Sequence, residues 1–266
     1  MHHRQGMKGR NGVDADGAAA ELSSFANRLN HLIHLTEDEL GYLHHMEARE
    51  RPVQRGEILV HEGAPVDELY VVKDGWAIAT AGPLKERSQT LRIFLPGDVI
   101  GLPGLGVRVA PHQARMVTDG VLCPFPKSHM TEVFREAPRL AALFMAIAGL
   151  DQVTVRDRLA MMGAGDARQR MAHFLLDIHE RLLIANPTLG KRFRLPLRQV
   201  DIAEVLGLTK VYVNRLLRAF SDEGLIEIER PYIRILRRDA MIDMSDYVNR
   251  YAQLDIGWFP TPMDRP

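Results

Sequence analysis

The chain has 266 residues, 46% of them apolar, and its 34 Lys and Arg balance 34 Asp and Glu. That length allows one or two domains with a sizeable core, and the overall charge balance does not by itself point to a nucleic acid. The single cysteine, Cys123, excludes an internal disulfide framework and cannot alone hold an iron–sulfur cluster.

Such thiol usage fits a reducing compartment. No apolar leader is legible in residues 1–20, and the longest apolar run, residues 140–150, is too short to cross a bilayer. A cytoplasmic protein with no membrane contact is the expectation, and nothing in the pattern calls for a cofactor.

Residues 1–20 are polar and Gly-rich and read as a disordered arm, with His2 and His3 as solvated side chains. Helical spacing of Phe25, Leu29, Leu32 and Ile33, then Leu40 and Leu43, predicts two helices. Thr36 and Glu39 supply a capping box for the second. From 51 to 126 short β-rich runs alternate with turns. The runs are 58–60, 69–72, 76–79, 91–94, 98–100, 114–118 and 121–125; the turns are Glu62-Gly63, Lys73-Asp74-Gly75 and Pro96-Gly97-Asp98. Many short strands with regular turn signals predict an antiparallel sandwich or barrel, most simply a jelly roll.

Pro138 suits a helix first turn, and Leu140, Leu143, Phe144, Ile147 and Leu150 form an apolar face that Val155, Leu159 and Met162 prolong. Thr154 and Asp157 interrupt the heptad, so the pattern leaves open a helix packed on its own domain or a dimer seam. Residues 162–165 read as a helix stop and hinge. Asp166 opens a new helix with Met171, Phe174, Leu175 and Ile178 inward, and 186–191 form a loop.

Residues 199–218 carry the clearest functional signal. Two short helices that cross closely need a small contact residue, which Ala203 supplies. The turn between them needs a left-handed residue, and Gly207 adopts that conformation without a Cβ penalty. Ile202, Leu206, Leu208, Val213 and Leu216 fill the space between the helices, and Thr209 is placed to cap the second. The remaining positions of that helix (Lys210, Tyr212, Asn214, Arg215, Arg218) are polar or basic, the face expected in a major groove. Charge is biased locally: residues 166–238 hold 14 Lys and Arg against 9 Asp and Glu. A strand pair, 225–228 and 233–236, follows around a turn at Arg230-Pro231, as a wing would.

The β-rich first half, connecting helix and winged helix-turn-helix resemble the cyclic-AMP receptor / fumarate–nitrate reductase regulator (Crp/Fnr) family over about residues 22–239. The matching stretches are Gly56-Glu57-Ile58-Leu59-Val60-His61-Glu62-Gly63, Leu69-Tyr70-Val71-Val72-Lys73-Asp74-Gly75, Leu95-Pro96-Gly97-Asp98-Val99-Ile100-Gly101, and Leu206-Gly207-Leu208-Thr209 running to Asn214-Arg215. The fold implied is α+β, with a cyclic-nucleotide-binding-like jelly roll (21–137), a dimerisation helix (138–163), a winged helix-turn-helix (166–239) and an extension (240–266). The resemblance implies a homodimer on a two-fold-symmetric site in double-stranded DNA, with RNA polymerase as a further partner if the protein activates. It also favours the dimer-seam reading of residues 140–162.

Within that frame Arg215 matches the family arginine aimed at guanine O6 and N7. Asn214 suits an adenine edge or a phosphate, Lys210 and Thr209 suit phosphates, and Arg198 and Gln199 suit the DNA backbone. Tyr212 and Arg218 complete the face. Val211 departs from the family, many of whose members carry a glutamate there; a valine offers only an apolar contact to a thymine methyl.

The sensory site departs further. Cyclic-nucleotide binders of the family follow the glycine matching Gly101 with a glutamate, and place an Arg-Ser pair on the next segment. Leu102-Pro103 and His112-Gln113 stand here instead. A buried cyclic phosphate needs charge-assisted donors, so this is the branch that does not bind cyclic AMP tightly. Gly101, Leu102, His112 and Gln113 remain candidates to line a pocket for an unidentified effector. His34, His44, His45, His61 and His112 match no ligand spacing, so no metal site is expected. The alternative to DNA binding is a ligand-binding or interaction module whose helix-turn-helix meets protein. A jelly-roll metalloenzyme is disfavoured because no His-x-His with a downstream glutamate occurs between 51 and 125; no catalytic role is expected. The aromatics Tyr247, Tyr251, Trp258 and Phe259 predict partial docking of the extension.

Overall fold

The computed structural model describes residues 22–82 and 89–261; the arm expected at 1–20 lies outside them. Helices α1 (Ser24–Leu32) and α2 (Glu37–Glu47) open the described chain. Ser23 caps α1, and Thr36 and Glu39 form the expected reciprocal capping box on α2.

The strands β1 (Arg51–Val53), β2 (Ile58–Val60), β3 (Glu68–Asp74), β4 (Ala77–Ala81), β5 (Gln89–Phe94), β6 (Val99–Ile100), β7 (Gln113–Met116) and β8 (Gly120–Pro126) follow. They form two antiparallel sheets, ordered β1-β8-β3-β6 and β2-β7-β4-β5. Strand β1 escapes sequence reading because Pro52 sits in its middle. Pro52 lies opposite Val121 on an edge strand, where a missing N–H is tolerated.

Successive strand residues point to opposite sides of a sheet, and both sheets bury both faces. Val72, Ala77, Phe94, Ile100, Ala114 and Met116 meet between the sheets. On the far side of the first sheet, Leu69, Val71, Cys123 and Phe125 pack in one core with α1, α2, α3 (His129–Glu136) and α4 (Pro138–Ala164). On the far side of the second, Trp76, Ile78, Ile93, Leu95 and Val117 join the core of the C-terminal half. Each such fully buried large apolar side chain contributes about 1.5–3 kcal/mol, so the two halves share apolar burial instead of being merely tethered.

Helix α4 presents two faces. Leu140, Leu143, Phe144 and Ile147 are buried within the protomer, and Asp151 continues that inward face. A different stripe points out: Met145 is 60% exposed, Val155 37% and Leu159 63%. The helix is long and apolar enough, by length and composition, to cross a membrane. Its buried N-terminal half and the ion pair of Asp151 with Arg92 instead fit the core helix of a globular fold.

Gly165 ends α4 in extended conformation, and Asp166 caps α5 (Ala167–Ala185) with a capping box to Gln169. Then come β9 (Arg192–Arg194), α6 (Gln199–Leu206), α7 (Lys210–Asp222), β10 (Ile226–Glu229), β11 (Tyr232–Ile235) and α8 (Arg238–Ser245). Strand order in the small sheet is β10-β11-β9. Met241 of α8 is fully buried in the winged core, so this helix spans the boundary expected at 239/240. Beyond it Tyr247 and Tyr251 are buried while Trp258 remains 50% exposed.

A charged cluster sits where jelly roll, α1, α4 and α5 meet. Asp98, from the Pro96-Gly97-Asp98 turn, pairs with Arg28 of α1 at 2.9 Å and Arg181 of α5 at 2.7 Å, and accepts from the Leu95 amide at 2.8 Å. Arg181 also donates to the Ile93 carbonyl, and Arg158 of α4 to that of Leu91. Burial pushes the Asp98 carboxyl up, but Arg28, Arg181, Arg92 and the Leu95 amide outweigh it and hold the group at about 2.

Candidate nucleic-acid interface

Helix α6 starts under an acid. Asp201, buried in its first turn, accepts from the Arg198 amide at 2.9 Å and from the Arg198 guanidinium at 3.0 Å. Burial disfavours its charge, but the Arg198 side chain and amide hold its carboxyl below the usual range. Arg115 of β7 reaches the same carboxylate at 3.3 Å, tying α6 to the jelly roll. Gln89 and Thr90 of β5 make further bonds to Glu204.

The turn is built as its sequence demands. Gly207 has φ +63°, and a Cβ there would also come within 3.3 Å of Met162 Cε. The Gly207 and Leu208 amides both return to the Ala203 carbonyl. Thr209 caps α7 by accepting from the Tyr212 amide at 3.2 Å. Ile202, Ala203, Leu206, Val213 and Leu216 are buried between the helices.

The outward face of α7 carries exposed Lys210, Val211, Arg215 and Arg218, with Tyr212 and Asn214 half-buried. Val211 is 80% exposed, the most exposed large apolar side chain among the described residues. Two side chains are braced. The Arg215 guanidinium lies 4.4 Å from the Tyr212 ring centroid, and Gln199 Nε2 donates to Asn214 Oδ1 at 2.9 Å. Gln199 is thus held against the second helix, and Arg198 is held by Asp201. Between this pair of helices and the wing runs a groove of about 530 Å³, lined by Arg198, Gln199, Lys210, Arg230 and Tyr232 among others. Sequence reasoning missed Arg230: it was read as a turn residue, and only the fold brings it beside Arg198 and Lys210.

The sequence matches the family descriptions "Crp-like helix-turn-helix domain" over residues 169–244 and "Cyclic nucleotide-binding domain" over 50–137. The fumarate and nitrate reduction regulatory protein of Escherichia coli (strain K12) is 24% identical over 218 residues, 82% of this chain and 87% of that protein. The anaerobic regulatory protein of Pasteurella multocida is 25% identical, over 79% and 77%. The chain belongs to the Crp/Fnr family of transcription regulators. Among solved structures of this fold, FixK2 from Bradyrhizobium japonicum has a TM-score of 0.68 at 23% identity, covering 76% of this chain and 98% of that one.

The Crp/Fnr-type jelly roll of this chain encloses a cavity of about 580 Å³. Of the four residues expected to line it, Gly101 and His112 do so. Leu102 does not: Gly101 has φ +95°, and the 3-10 turn it starts (Leu102–Gly106) puts Leu102 into the core with α1 and α4. Gln113 is paired opposite Thr80 within the sheet and is absent from the wall. Among the described residues the wall is mainly apolar (Val60, Val66, Phe94, Ile100), with Asp67, Glu68, His61 and His112 as its titratable side chains and no Lys or Arg. The described lining lacks the guanidinium or ammonium donors that a cyclic phosphate draws on. Among the described residues no group of three or more His, Cys, Asp or Glu is placed to hold a metal ion. Cys123 is buried in β8, and burial pushes its thiol up to about 11.

Proposed function

We propose that the protein is a sequence-specific DNA-binding regulator that acts as a homodimer on a two-fold-symmetric site. The observation that carries this is the pairing of an exposed, braced basic face on α7 with an unpartnered apolar stripe on α4. Met145, Ala148, Gln152, Val155 and Leu159 succeed one another at alternating spacings of three and four, which is a heptad seam suited to a second copy of the same helix. Met145, Gln152, Val155 and Leu159 are exposed, while Ala148 also touches the core that Leu140, Leu143, Phe144 and Ile147 fill. Pairing two chains along α4 presents two α7 helices, which on B-DNA must enter major grooves about 34 Å apart.

In this reading Arg215 reads a guanine and Asn214 a neighbouring base edge or phosphate. Tyr212 supports Arg215, and Val211 meets an apolar base surface. Thr209, Lys210, Arg218, Arg198, Gln199 and the wing residue Arg230 hold the backbone. RNA polymerase is the further partner where binding activates transcription. The jelly-roll cavity is the place for an effector that is not a cyclic nucleotide, and the cytoplasm is the compartment in which such a regulator works.

The test is duplex selection from a randomised pool, followed by titration of the recovered site and of non-specific DNA at several salt concentrations. Specific binding should fall steeply with salt, and Arg215→Ala should remove about 1–3 kcal/mol of discrimination at one base pair. Recovery of no duplex, or equal discrimination in the variant, would overturn the reading.

A further inference from the structure

Residues 247–259 leave the winged core and run back over the other elements. Tyr247 packs edge-to-face on His173 of α5 at 5.1 Å. Asn249 donates to Glu180 of α5 at 2.9 Å, and Arg238 holds the other oxygen of that carboxylate. Arg250 makes a two-pronged pair with Asp157 of α4, at 2.7 and 3.1 Å. Tyr251 donates to Asp151 of α4 at 3.2 Å while Arg28 of α1 lies 5.4 Å from its ring centroid. Leu254 and Phe259 then pack against the core shared by the jelly roll, α1 and α4.

This path crosses the junction between α4 and α5. Helix α4 ends at Ala164 and α5 begins at Ala167, so Gly165 and Asp166 alone link them, and Gly165 packs closely on Met161 of the last turn of α4. An open cleft of about 370 Å³ lies beside the link, bounded by Asp157, Met161 and Gly165 on one side and His173, Asp246 and Arg250 on others. Jelly-roll contacts hold α5 through Arg181 and α4 through Arg158 and Asp151, and α4 also carries the outward stripe. The segment joins α5 and the winged core directly to α4, through one buried hydroxyl–carboxylate bond and one bidentate ion pair, the strong kind of charged contact. The helix-turn-helix family match ends at residue 244, so the segment lies beyond it.

We propose that residues 247–259 are a strap that fixes the angle between α4 and the winged domain, and thereby sets which half-site spacing a dimer accepts. The proposal rests on the dimeric DNA-binding reading for its second half only; the clamping itself does not need DNA. Asn249, Arg250 and Tyr251 are positioning residues: they touch no base and act through the orientation of α7. Because the strap leaves the α7 face uncovered, it orients the reading head without blocking it.

Two variants of the full chain test this: a stop in place of Tyr247, and the milder pair Arg250→Ala with Tyr251→Phe, which keeps the ring in place. Without DNA, amide hydrogen exchange at residues 161–168 should be faster in both. With DNA, the duplex recovered by selection with wild type is rebuilt with its half-sites moved by one and two base pairs, alongside a single half-site. Wild type should discriminate between spacings by about tenfold or more, and the variants should lose most of that while binding the single half-site unchanged. Unchanged exchange in both variants overturns the strap. Faster exchange with spacing preference intact overturns its role in site choice. If wild type binds no duplex, the DNA-binding reading and with it the spacing role fall, and the exchange result still decides the clamp.

Discussion

Asp98→Ala should be among the most destabilising single substitutions in this protein. The carboxylate is 1% exposed and neutralises Arg28, itself 1% exposed, and Arg181, 4% exposed. Arg181 retains Asp177 at 3.6 Å and the Ile93 carbonyl, whereas among the described residues Arg28 keeps the Tyr251 ring. Removing one member of a buried pair costs about 3–5 kcal/mol because the other charge stays behind uncompensated. With three guanidinium groups affected, Arg92 at 3.6 Å being the third, the upper half of that range is expected, against a total stability of roughly 5–15 kcal/mol. Asp98→Asn retains an acceptor for the Leu95 amide and should lose less. Urea unfolding of the full chain, analysed with a common slope, gives the difference from the midpoints. A loss below about 1 kcal/mol for Asp98→Ala would refute the premise that the cluster is desolvated. The same carboxylate gives an acid signature. Its folded value of about 2 lies below the unfolded value, so its stabilisation is complete above about pH 4 and is lost as pH falls toward 2, amounting to about 2 kcal/mol. Asp98→Asn should lack that part of the acid limb.

Two other outcomes follow from described contacts. Leu159→Glu places a carboxylate on the α4 stripe without touching the buried face, so sedimentation should show monomers with an unchanged folded spectrum; an undisturbed dimer would relocate the seam. Cys123 should resist a water-soluble disulfide reagent in the native protein and react once urea unfolds it, because burial both shields the thiol and pushes it up to about 11.

The helix-turn-helix was legible because each demand is local: a small residue at Ala203, a left-handed turn at Gly207 and a cap at Thr209 lie within a few positions of what they serve. The jelly roll was legible for a related reason, since its turns punctuate short β-rich runs. What stayed hidden was long-range. Asp98 reads only as a turn residue, although its partner Arg181 lies 83 positions away. Arg230 gains its neighbours from the wing's fold, and Leu102 points away from the cavity because Gly101 takes a left-handed conformation. In α4 a single period could not separate two apolar faces, one buried against its own domain and one left outward; Thr154 and Asp157 look like interruptions only when one face is sought. The partial docking expected of the aromatic extension is what Tyr247 and Tyr251 do, yet their partners Asp151 and His173 could not be read from it.

Val211 carries a further consequence. An isopropyl group held 80% exposed on α7 neither donates nor accepts a hydrogen bond, so against a base pair in the proposed complex it has only shape and the methyl group at pyrimidine C5 to meet. That methyl is present in thymine and in 5-methylcytosine and missing from uracil and cytosine. If α7 enters the major groove as proposed, contact at that position depends on the methylation state of the duplex, a property that base pairing does not report.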